Sequence, residues 1–313
     1  MELKLMNKKN FEEHIYEFKD LYELCFRLPT SIEDIKWRYL ENIHDDLLVC
    51  MAFEKGKMIA NYSVSPLILT YCGNDIPAVL SLNTMTHPDY FGQGLFVKLA
   101  KQIYKTAYEK GYQLVFGFPN KISNRTFITK LDWKDIYEIP MLELSLSEKK
   151  TNNTLKITYD NSFDLDYSLH CKNDPVYRVK KSKEYLKWRY HMNPTINYNN
   201  IVLQQKDGKV TGYLIFKEYK DRLNLVDYSF CSDDVSNSLL EQLIQIGIYS
   251  EKNYISTWVR FDSSFHLLLE KYGFYNTSPV TYFGANWFAN HNNDFKGYQY
   301  SNWQIYLTDD NAF

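Results

Sequence analysis

Apolar and polar residues follow a helical spacing in the stretch after position 94. Apolar side chains recur there in adjacent pairs every four residues: Leu95, Phe96, Leu99, Ala100, Ile103, Tyr104, Ala107 and Tyr108. This spacing gives a helix one apolar face, and Gly111 is typical of the residue that ends such a helix. A strand is predicted before it, from Ala78 to Thr86, and a buried strand after it, from Leu114 to Phe118. A second helix is predicted from about Ser123 to Leu131.

Two glycines, Gly92 and Gly94, stand between the predicted strand and the helix. Glycines allow successive backbone N–H groups to converge on an anion, and the positive end of the following helix lies behind them. Such a turn binds a pyrophosphate, although two-glycine turns also occur as ordinary connections. No third glycine follows and no acidic residue ends a following strand, so the turn does not match the dinucleotide fingerprint.

The residues before this region predict two helices followed by antiparallel strands. The helices are predicted at Phe11–Phe26 and Ser31–Asn42, and Ser31 with Asp34 is typical of a helix cap. The strands are predicted at Leu47–Glu54, Met58–Val64 and Leu67–Tyr71. The first half therefore consists of two helices, a meander, the glycine turn with its helix, a strand and a further helix.

The chain partly repeats itself beyond a lysine-rich break at Glu148 to Asn153. Three segments have counterparts in the same order: Ile35–Tyr39 with Leu186–Tyr190, Gly56–Lys57 with Gly208–Lys209, and Phe127–Trp133 with Leu268–Phe274. Collinear matches favour a duplicated domain. We therefore predict one domain at residues 1–150 and a second at 151–313.

The second copy differs from the first where the glycine turn would recur. The chain reads Cys231 to Ser236 at that place, with Asp233 and Asp234 among them. Two carboxylates repel a pyrophosphate, and residues other than glycine do not readily adopt the required backbone angles. The second domain is predicted to bind no such group. Its expected role is packing or forming a wall of a pocket for a second substrate.

Composition and charge exclude several classes of binding partner. The formal net charge is −2, which argues against a nucleic-acid surface. Neither a signal peptide nor an apolar run of membrane-spanning length is evident, so a cytoplasmic protein without a membrane partner is expected. The histidines and cysteines lack metal-ligand spacing, so no metal is expected. A small-molecule substrate is the remaining expectation.

The residues around the glycine turn resemble the coenzyme A-binding core of the GNAT acyltransferases. The resemblance extends over Thr84–Phe96, Val115–Asn120 and Phe127–Trp133. The family's turn reads Arg or Gln, two residues, Gly, one residue, then Gly or Ala. Gly92 and Gly94 are present here, whereas Phe91 and Phe96 depart from the pattern. The implied fold is α/β (α+β), with two tandem GNAT-like domains, each a mixed, mostly antiparallel sheet flanked by helices.

The resemblance also implies where an acyl-CoA co-substrate binds. Two strands splay apart after residue 84, the pantetheine arm lies along the edge of Thr84–Thr86, and the pyrophosphate lies on the amides of Gln93–Phe96. The implied coenzyme A-binding residues are Thr84, Met85, Thr86, Phe91, Gly92, Gln93, Gly94, Leu95, Phe96, Asn120, Ser123 and Phe127. The implied donor is acetyl-CoA or another short acyl-CoA.

Catalytic candidates are few. Histidine is a common general base, but His87 precedes a proline, as turn residues do. Asn83 can orient a water or the acceptor. Asp309 lies in the C-terminal segment, where acidic residues are usually solvated. The family commonly uses a tyrosine after its fifth strand to protonate the leaving thiolate, and Ile128 stands at that position.

The implied acceptor is the amine of an amino sugar, linked to a nucleotide. This follows from a resemblance of Val115–Lys121 and Trp303–Phe313 to tandem GNAT proteins encoded with bacterial polysaccharide genes. Aromatic candidates for stacking, each with core packing as its alternative, are Tyr282, Phe283, Trp287 and Trp303. Two other functions stay open: an aminoacyl transferase of the tandem-GNAT peptidoglycan type and a non-catalytic protein that kept the fold. The oligomeric state is not predicted.

Overall fold

The computed structural model describes residues 1–147, 163, 169, 175–205, 207–289 and 295–310. The chain divides into two units. The first consists of Met1–Leu69, Asn74–Tyr137 and Tyr282–Tyr300, and the second of Thr70–Gly73, Glu138–Thr281 and Ser301–Phe313. The predicted linker, Glu148–Asn153, lies outside the described residues, and the boundary at residue 150 stays a prediction.

Up to residue 131 the chain forms six strands and five helices. The strands are β1 (Glu2–Leu5), β2 (Leu48–Glu54), β3 (Lys57–Tyr71), β4 (Asn74–Ser81), β5 (Met85–Thr86) and β6 (Leu114–Gly117). The helices are α1 (Lys8–Glu13), α2 (Ile15–Phe26), α3 (Ile32–Tyr39), α4 (Leu95–Glu109) and α5 (Lys121–Lys130). The predicted order is confirmed from the helix at Ser31 onward in outline, whereas β1 was not predicted and the bounds of several elements differ as described below.

Further strands and helices follow. The strands are β7 (Lys134–Ser145), β8 (Arg178–Val179), β9 (Asn199–Gln204), β10 (Val210–Tyr219), β11 (Arg222–Phe230), β12 (Tyr254–Thr257) and β13 (Tyr275–Trp287). The helices are α6 (Lys183–Leu186), α7 (Asp233–Tyr249) and α8 (Ser264–Tyr272), and a π-helical turn at Lys187–His191 continues α6.

Helix α4 covers the sheet of the first unit with the face that the sequence predicts. Its buried residues are Leu95, Leu99, Ala100, Ile103, Tyr104 and Ala107. They pack with Tyr62, Val79 and Val115 of the strands and with Phe127 of α5 in one apolar core. The helix connects β4 to β6, which pair in parallel from Ala78 with Leu114 to Leu80 with Phe116. This parallel pair lies in a sheet ordered β1-β2-β3-β4-β6-β13.

The second unit repeats this arrangement of elements. Strands β9, β10 and β11 pair antiparallel in sequence, and β11 then pairs in parallel with β12 after the intervening helix α7. Gly208 in the β9–β10 turn has φ of 85° and Gly56 in the β2–β3 turn has φ of 79°. Trp37 and Trp188, which the sequence matches to each other, are both buried. Both tryptophans therefore contribute to packing in their own unit.

Strands β7 and β13 each pair with a strand that lies in the other half of the sequence. Strand β7 follows α5, yet its residues 142–145 pair antiparallel with β12 of the second unit. Strand β13 follows α8, and its residues 284–287 pair antiparallel with β6 of the first unit. Neither pairing was predicted, because both join residues far apart in sequence.

Some predicted elements differ from the structure. The single helix predicted at Phe11–Phe26 is divided at His14, because Asn7 caps a separate short helix. The two strands predicted between Met58 and Tyr71 form one strand, β3. Its pairing with β2 ends at Val64, so Pro66 removes no hydrogen bond between these two strands. The strand predicted at Ala78–Thr86 stops at Ser81 and resumes at Met85.

Candidate active site

Strands β4 and β6 separate at Ser81 in the first unit. Their last matched pair is Leu80 with Phe116. The chain then turns toward β3: the Leu82 N–H donates to the Ser63 carbonyl at 2.9 Å, and Met85 of β5 pairs with Asn61. The pairing of β4 with β6 therefore ends at Leu80 rather than after residue 84, and among the described strands β5 pairs with β3 and not with β6. We call the place where β6 loses this partner the gap between β5 and β6.

The glycine turn has the backbone that an anion cradle requires. Gly92 and Gly94 have φ of 76° and 70°, and a Cβ built on either would meet nothing within 4 Å. Gly94 is the N-cap of α4, without a side-chain cap or an acidic residue in the first turn. The first N–H to bond within the helix is that of Lys98, to the Gly94 carbonyl at 3.2 Å. The preceding amides and the positive end of the helix can therefore bind an anion.

The two phenylalanines that depart from the family pattern have different environments. Phe91 is 67% exposed. Phe96 packs into the apolar core, with its ring centroid 5.7 Å from that of Tyr62 and 5.0 Å from that of Phe127. Phe96 therefore contributes to the packing that holds the start of α4 against the sheet.

The predicted site residues of α5 have structural roles as well. Asn120 caps the helix, because its Oδ1 accepts the N–H groups of Ile122 at 3.0 Å and Ser123 at 2.9 Å. The Ser123 hydroxyl lies 3.1 Å from the same oxygen. Phe127 is buried, with its ring 4.3 Å from that of Trp133. These contacts fix the N-terminus of α5 at the end of β6.

Asn83 belongs to a polar network in the first unit. Its Nδ2 donates to the Tyr39 hydroxyl at 2.8 Å, and that hydroxyl lies 3.0 Å from Ser63 Oγ. Asn61 Nδ2 donates to the Asn83 carbonyl at 2.8 Å. Burial raises the pKa of Tyr39 to about 12, so its hydroxyl stays protonated at neutral pH. The network holds Asn83 in the loop between β4 and β5.

His87 and Thr84 make local contacts. His87 caps the short turn Pro88–Tyr90, and its Nδ1 accepts the Asp89 N–H at 3.3 Å. Its backbone N–H donates to the Ile59 carbonyl at 2.8 Å. The Thr84 hydroxyl lies 3.4 Å from the Leu82 carbonyl. His87 is therefore a turn residue, as its position before a proline predicts. The other ring nitrogen, Nε2, does not take part in the hydrogen bond to Asp89.

Asp309 belongs to the second unit, whereas Asn83, His87 and the glycine turn belong to the first. It is buried, and its Oδ2 accepts the Tyr306 N–H at 2.8 Å. Burial raises the pKa of this carboxyl to about 7, against the opposing effect of Lys181. The expectation of a solvated terminal acid is wrong.

Three aromatic residues considered for stacking are core residues. Phe283, Trp287 and Trp303 are buried, as their alternative interpretation states. Their burial leaves no ring face for a sugar or a base in this conformation. Tyr282 is half-buried.

Sequence reasoning missed a chain of hydroxyl groups behind the gap. Trp133 Nε1 donates to the Tyr104 hydroxyl at 2.8 Å. That hydroxyl lies 3.0 Å from the Tyr62 hydroxyl, which lies 2.9 Å from Ser81 Oγ. Burial raises the pKa of both tyrosines above the ordinary value. The only sequence signal was the presence of hydroxyl-bearing residues at positions of the apolar pattern.

Comparison with known proteins relates this region to a family. Residues 8–135, less than half of the chain, match the family model for the acetyltransferase (GNAT) domain. This part of the chain is therefore similar to GNAT domains. The GNAT match and the fold of the first unit together support the predicted N-acyltransferase class. A sequence comparison with curated proteins finds no significant match.

Solved structures share the fold at low identity. A GCN5-related N-acetyltransferase from Anabaena variabilis ATCC 29413 has a TM-score of 0.67 at 15% identity, over 91% of this chain and 72% of that chain. One from Kribbella flavida has a TM-score of 0.65 at 12% identity, over 91% and 70%. Saccharomyces cerevisiae N-myristoyltransferase, solved with myristoyl-CoA, has a TM-score of 0.63 at 12% identity, over 91% and 78%. The predicted GNAT fold class is confirmed.

Neither a membrane-spanning helix nor a metal-binding cluster is present among the described residues. No helix among them is both long enough and apolar enough to cross a bilayer. No group of three or more His, Cys, Asp or Glu side chains in the same part of the chain is placed to hold a metal ion.

Proposed function

We propose that the protein is an acyl-CoA-dependent N-acyltransferase, with an acetyl or other short acyl group as donor. The observation that carries the proposal is the open turn at Gly92 and Gly94, at the N-terminus of α4 and at the end of the chain segment that leaves β4. Backbone amides there suit the pyrophosphate, and the gap between β5 and β6 suits the pantetheine arm.

The reaction is a direct attack of the acceptor amine on the thioester in a ternary complex. An alkyl amine has a pKa of about 10, so it must lose a proton before it attacks. Asn83 cannot act as a base, but its fixed position suits it to orient the amine or a water. His87 remains a candidate base beside β5, but only through Nδ1 after the hydrogen bond from the Asp89 N–H breaks, because the neutral ring with Nδ1 as acceptor carries its proton on the other nitrogen. Backbone donors are required for the developing oxyanion.

The proposed acceptor is the amine of an amino sugar, linked to a nucleotide. Two cationic side chains of α5, Lys121 and Arg125, are exposed near the end of β6 and suit a diphosphate. The second unit has a different turn at the equivalent place: Ser232 caps α7 and Asp233 and Asp234 occupy its first turn. A unit without an anion cradle is free to contribute to acceptor binding, and this is the role that we propose for it.

Calorimetry with acetyl-CoA tests the donor site, and a thiol-release assay tests the reaction. The assay compares nucleotide-linked amino sugars, free amino sugars, aminoglycosides and peptides, each with several acyl-CoA donors. Turnover with a nucleotide-linked amino sugar is the expected result. Turnover confined to peptides or aminoglycosides would refute the acceptor and leave the acyltransferase proposal intact.

A non-catalytic binding protein is the second candidate. The observation that favours it is Ile128, which packs against the apolar core where the family commonly has a tyrosine. Binding of acyl-CoA without thiol release from any acceptor would support this candidate. Transfer of the amino acid from aminoacyl-tRNA to an acceptor, without thiol release from acyl-CoA, would instead support an aminoacyl transferase.

A further inference from the structure

The buried hydroxyl chain in the first unit has a defined direction. The indole of Trp133 can only donate, so Tyr104 accepts its hydrogen bond. Among the described residues, the remaining partner of the Tyr104 hydroxyl is that of Tyr62, so Tyr104 donates to Tyr62. Because Tyr62 accepts from Tyr104, its own hydrogen is left for Ser81 Oγ at 2.9 Å, and we infer that Tyr62 donates to Ser81. The hydroxyl hydrogen of Ser81 therefore has no acceptor within this series of hydrogen bonds and is available to a ligand.

Ser81 is placed where the two strands part. It follows Leu80, the last residue matched with β6, and it is half-buried. Across from it is Gly117, where a Cβ would lie 3.1 Å from Ser81 Cβ and 3.4 Å from the Trp133 ring. Because position 117 lacks a side chain, the Ser81 side chain fits beside β6 at the start of the gap.

We propose that the Ser81 hydroxyl donates a hydrogen bond to the thioester sulfur in this gap and stabilises the thiolate as it leaves. The inference rests on the proposed acyl-CoA site. In the reaction the C–N bond forms, the C–S bond breaks, the electron pair stays on sulfur, and the proton of the amine passes to the base or to water. The hydroxyl of Ser81 keeps its own proton throughout.

The chain behind Ser81 acts as an oriented dipole rather than a proton relay. The pKa values of Tyr62 and Tyr104 are raised by burial, so neither ring gives up its proton near neutral pH. A hydroxyl that already accepts a hydrogen bond from Tyr62 is a better donor to an anion. The Ser81 hydroxyl would then have the role of the tyrosine that the family commonly has where this chain has Ile128.

The first experiment measures the pKa of the thiol of bound coenzyme A from its thiolate absorbance, and it requires no acceptor. A hydrogen bond to the thiolate lowers this pKa, so Ser81→Ala should raise it by about one unit relative to wild type. Tyr62→Phe should raise it by less, and Ser81→Thr should restore the wild-type value. Tyr112→Phe, which removes a hydroxyl that contacts Asp46 outside the chain, is the matched control.

The second experiment measures steady-state kinetics with acetyl-CoA and the acceptor found by the assay above. Ser81→Ala should lower kcat about tenfold to a hundredfold and change KM for acetyl-CoA less than about twofold. An unchanged thiol pKa together with an unchanged kcat would overturn the inference and leave the proposed function standing. A higher KM alone would show that Ser81 binds the donor without acting on the sulfur. Wild-type protein that binds no coenzyme A would refute the proposed function itself.

Discussion

Gly284 of β13 pairs with Gly117 of β6, so two glycines face each other across neighbouring strands of the first unit. A Cβ on Gly284 would lie 2.9 Å from the Lys134 carbonyl oxygen and 3.3 Å from the Trp133 ring. Backbone atoms cannot give way as a flexible side chain can. The close approach of β13 to Trp133 and Lys134 therefore depends on the absence of a side chain at position 284.

We expect Gly284→Ala to lower the free energy of unfolding by about 1–3 kcal/mol, because the methyl group forces a backbone shift beside Trp133. Urea unfolding followed by tryptophan fluorescence measures the change. Lys105→Ala, on the exposed face of α4, serves as the control and should change the free energy by less than about 0.5 kcal/mol. Equal stability of Gly284→Ala and wild type would contradict the packing argument.

A second prediction concerns a charge introduced into the glycine turn. Gly94→Asp should abolish measurable acyl-CoA binding while the protein stays folded, because the carboxylate opposes the pyrophosphate at the N-terminus of α4. Gly94→Asn is the matched control, since asparagine has nearly the same size, carries no charge and tolerates a positive φ. Calorimetry should give an affinity for the asparagine variant between those of wild type and the aspartate variant. Unchanged affinity of Gly94→Asp would exclude the turn as the pyrophosphate site.

Local features of the fold could be predicted from the sequence, whereas contacts between residues far apart in sequence could not. Helix α4 and the glycine turn before it were predictable because a 3.6-residue period and two nearby glycines are encoded within a few residues. The break after Ser81 was not, because it depends on Leu82 bonding to Ser63 of another strand. The same reason applies to the pairing of Gly284 with Gly117 and to the hydroxyl chain. These contacts join residues that only the assembled sheet brings together.

Burial of Asp309 gives a pH dependence of stability. Its pKa is about 7 in the folded protein against an ordinary value of 3.8, so the folded state holds the proton more tightly than the unfolded state. The stability that this group contributes is complete below about pH 4 and is lost as the pH rises to about 7. Asp309→Asn imitates the protonated form. Its melting temperature should therefore decrease less than that of wild type between pH 4 and pH 7, and parallel curves would show that Asp309 does not titrate in this range.

The ion pair of Lys181 and Asp227 in the second unit supports a test of buried charge. Both side chains are buried, and the pair is completed by the Tyr190 hydroxyl, which donates to Asp227 Oδ2 at 2.6 Å. Lys181 Nζ also lies 3.2 Å from the centre of the Tyr306 ring. Removal of one partner leaves the other charge in an apolar environment.

We expect Lys181→Met to destabilise the protein by about 3–5 kcal/mol, because Asp227 then loses its cation. The double variant Lys181→Met with Asp227→Leu removes both charges and should recover part of this loss. Urea unfolding of wild type, both single variants and the double variant gives the coupling free energy. Additive losses in the double variant would mean that the pair is not coupled and that Tyr190 and Tyr306 alone account for the burial of each charge.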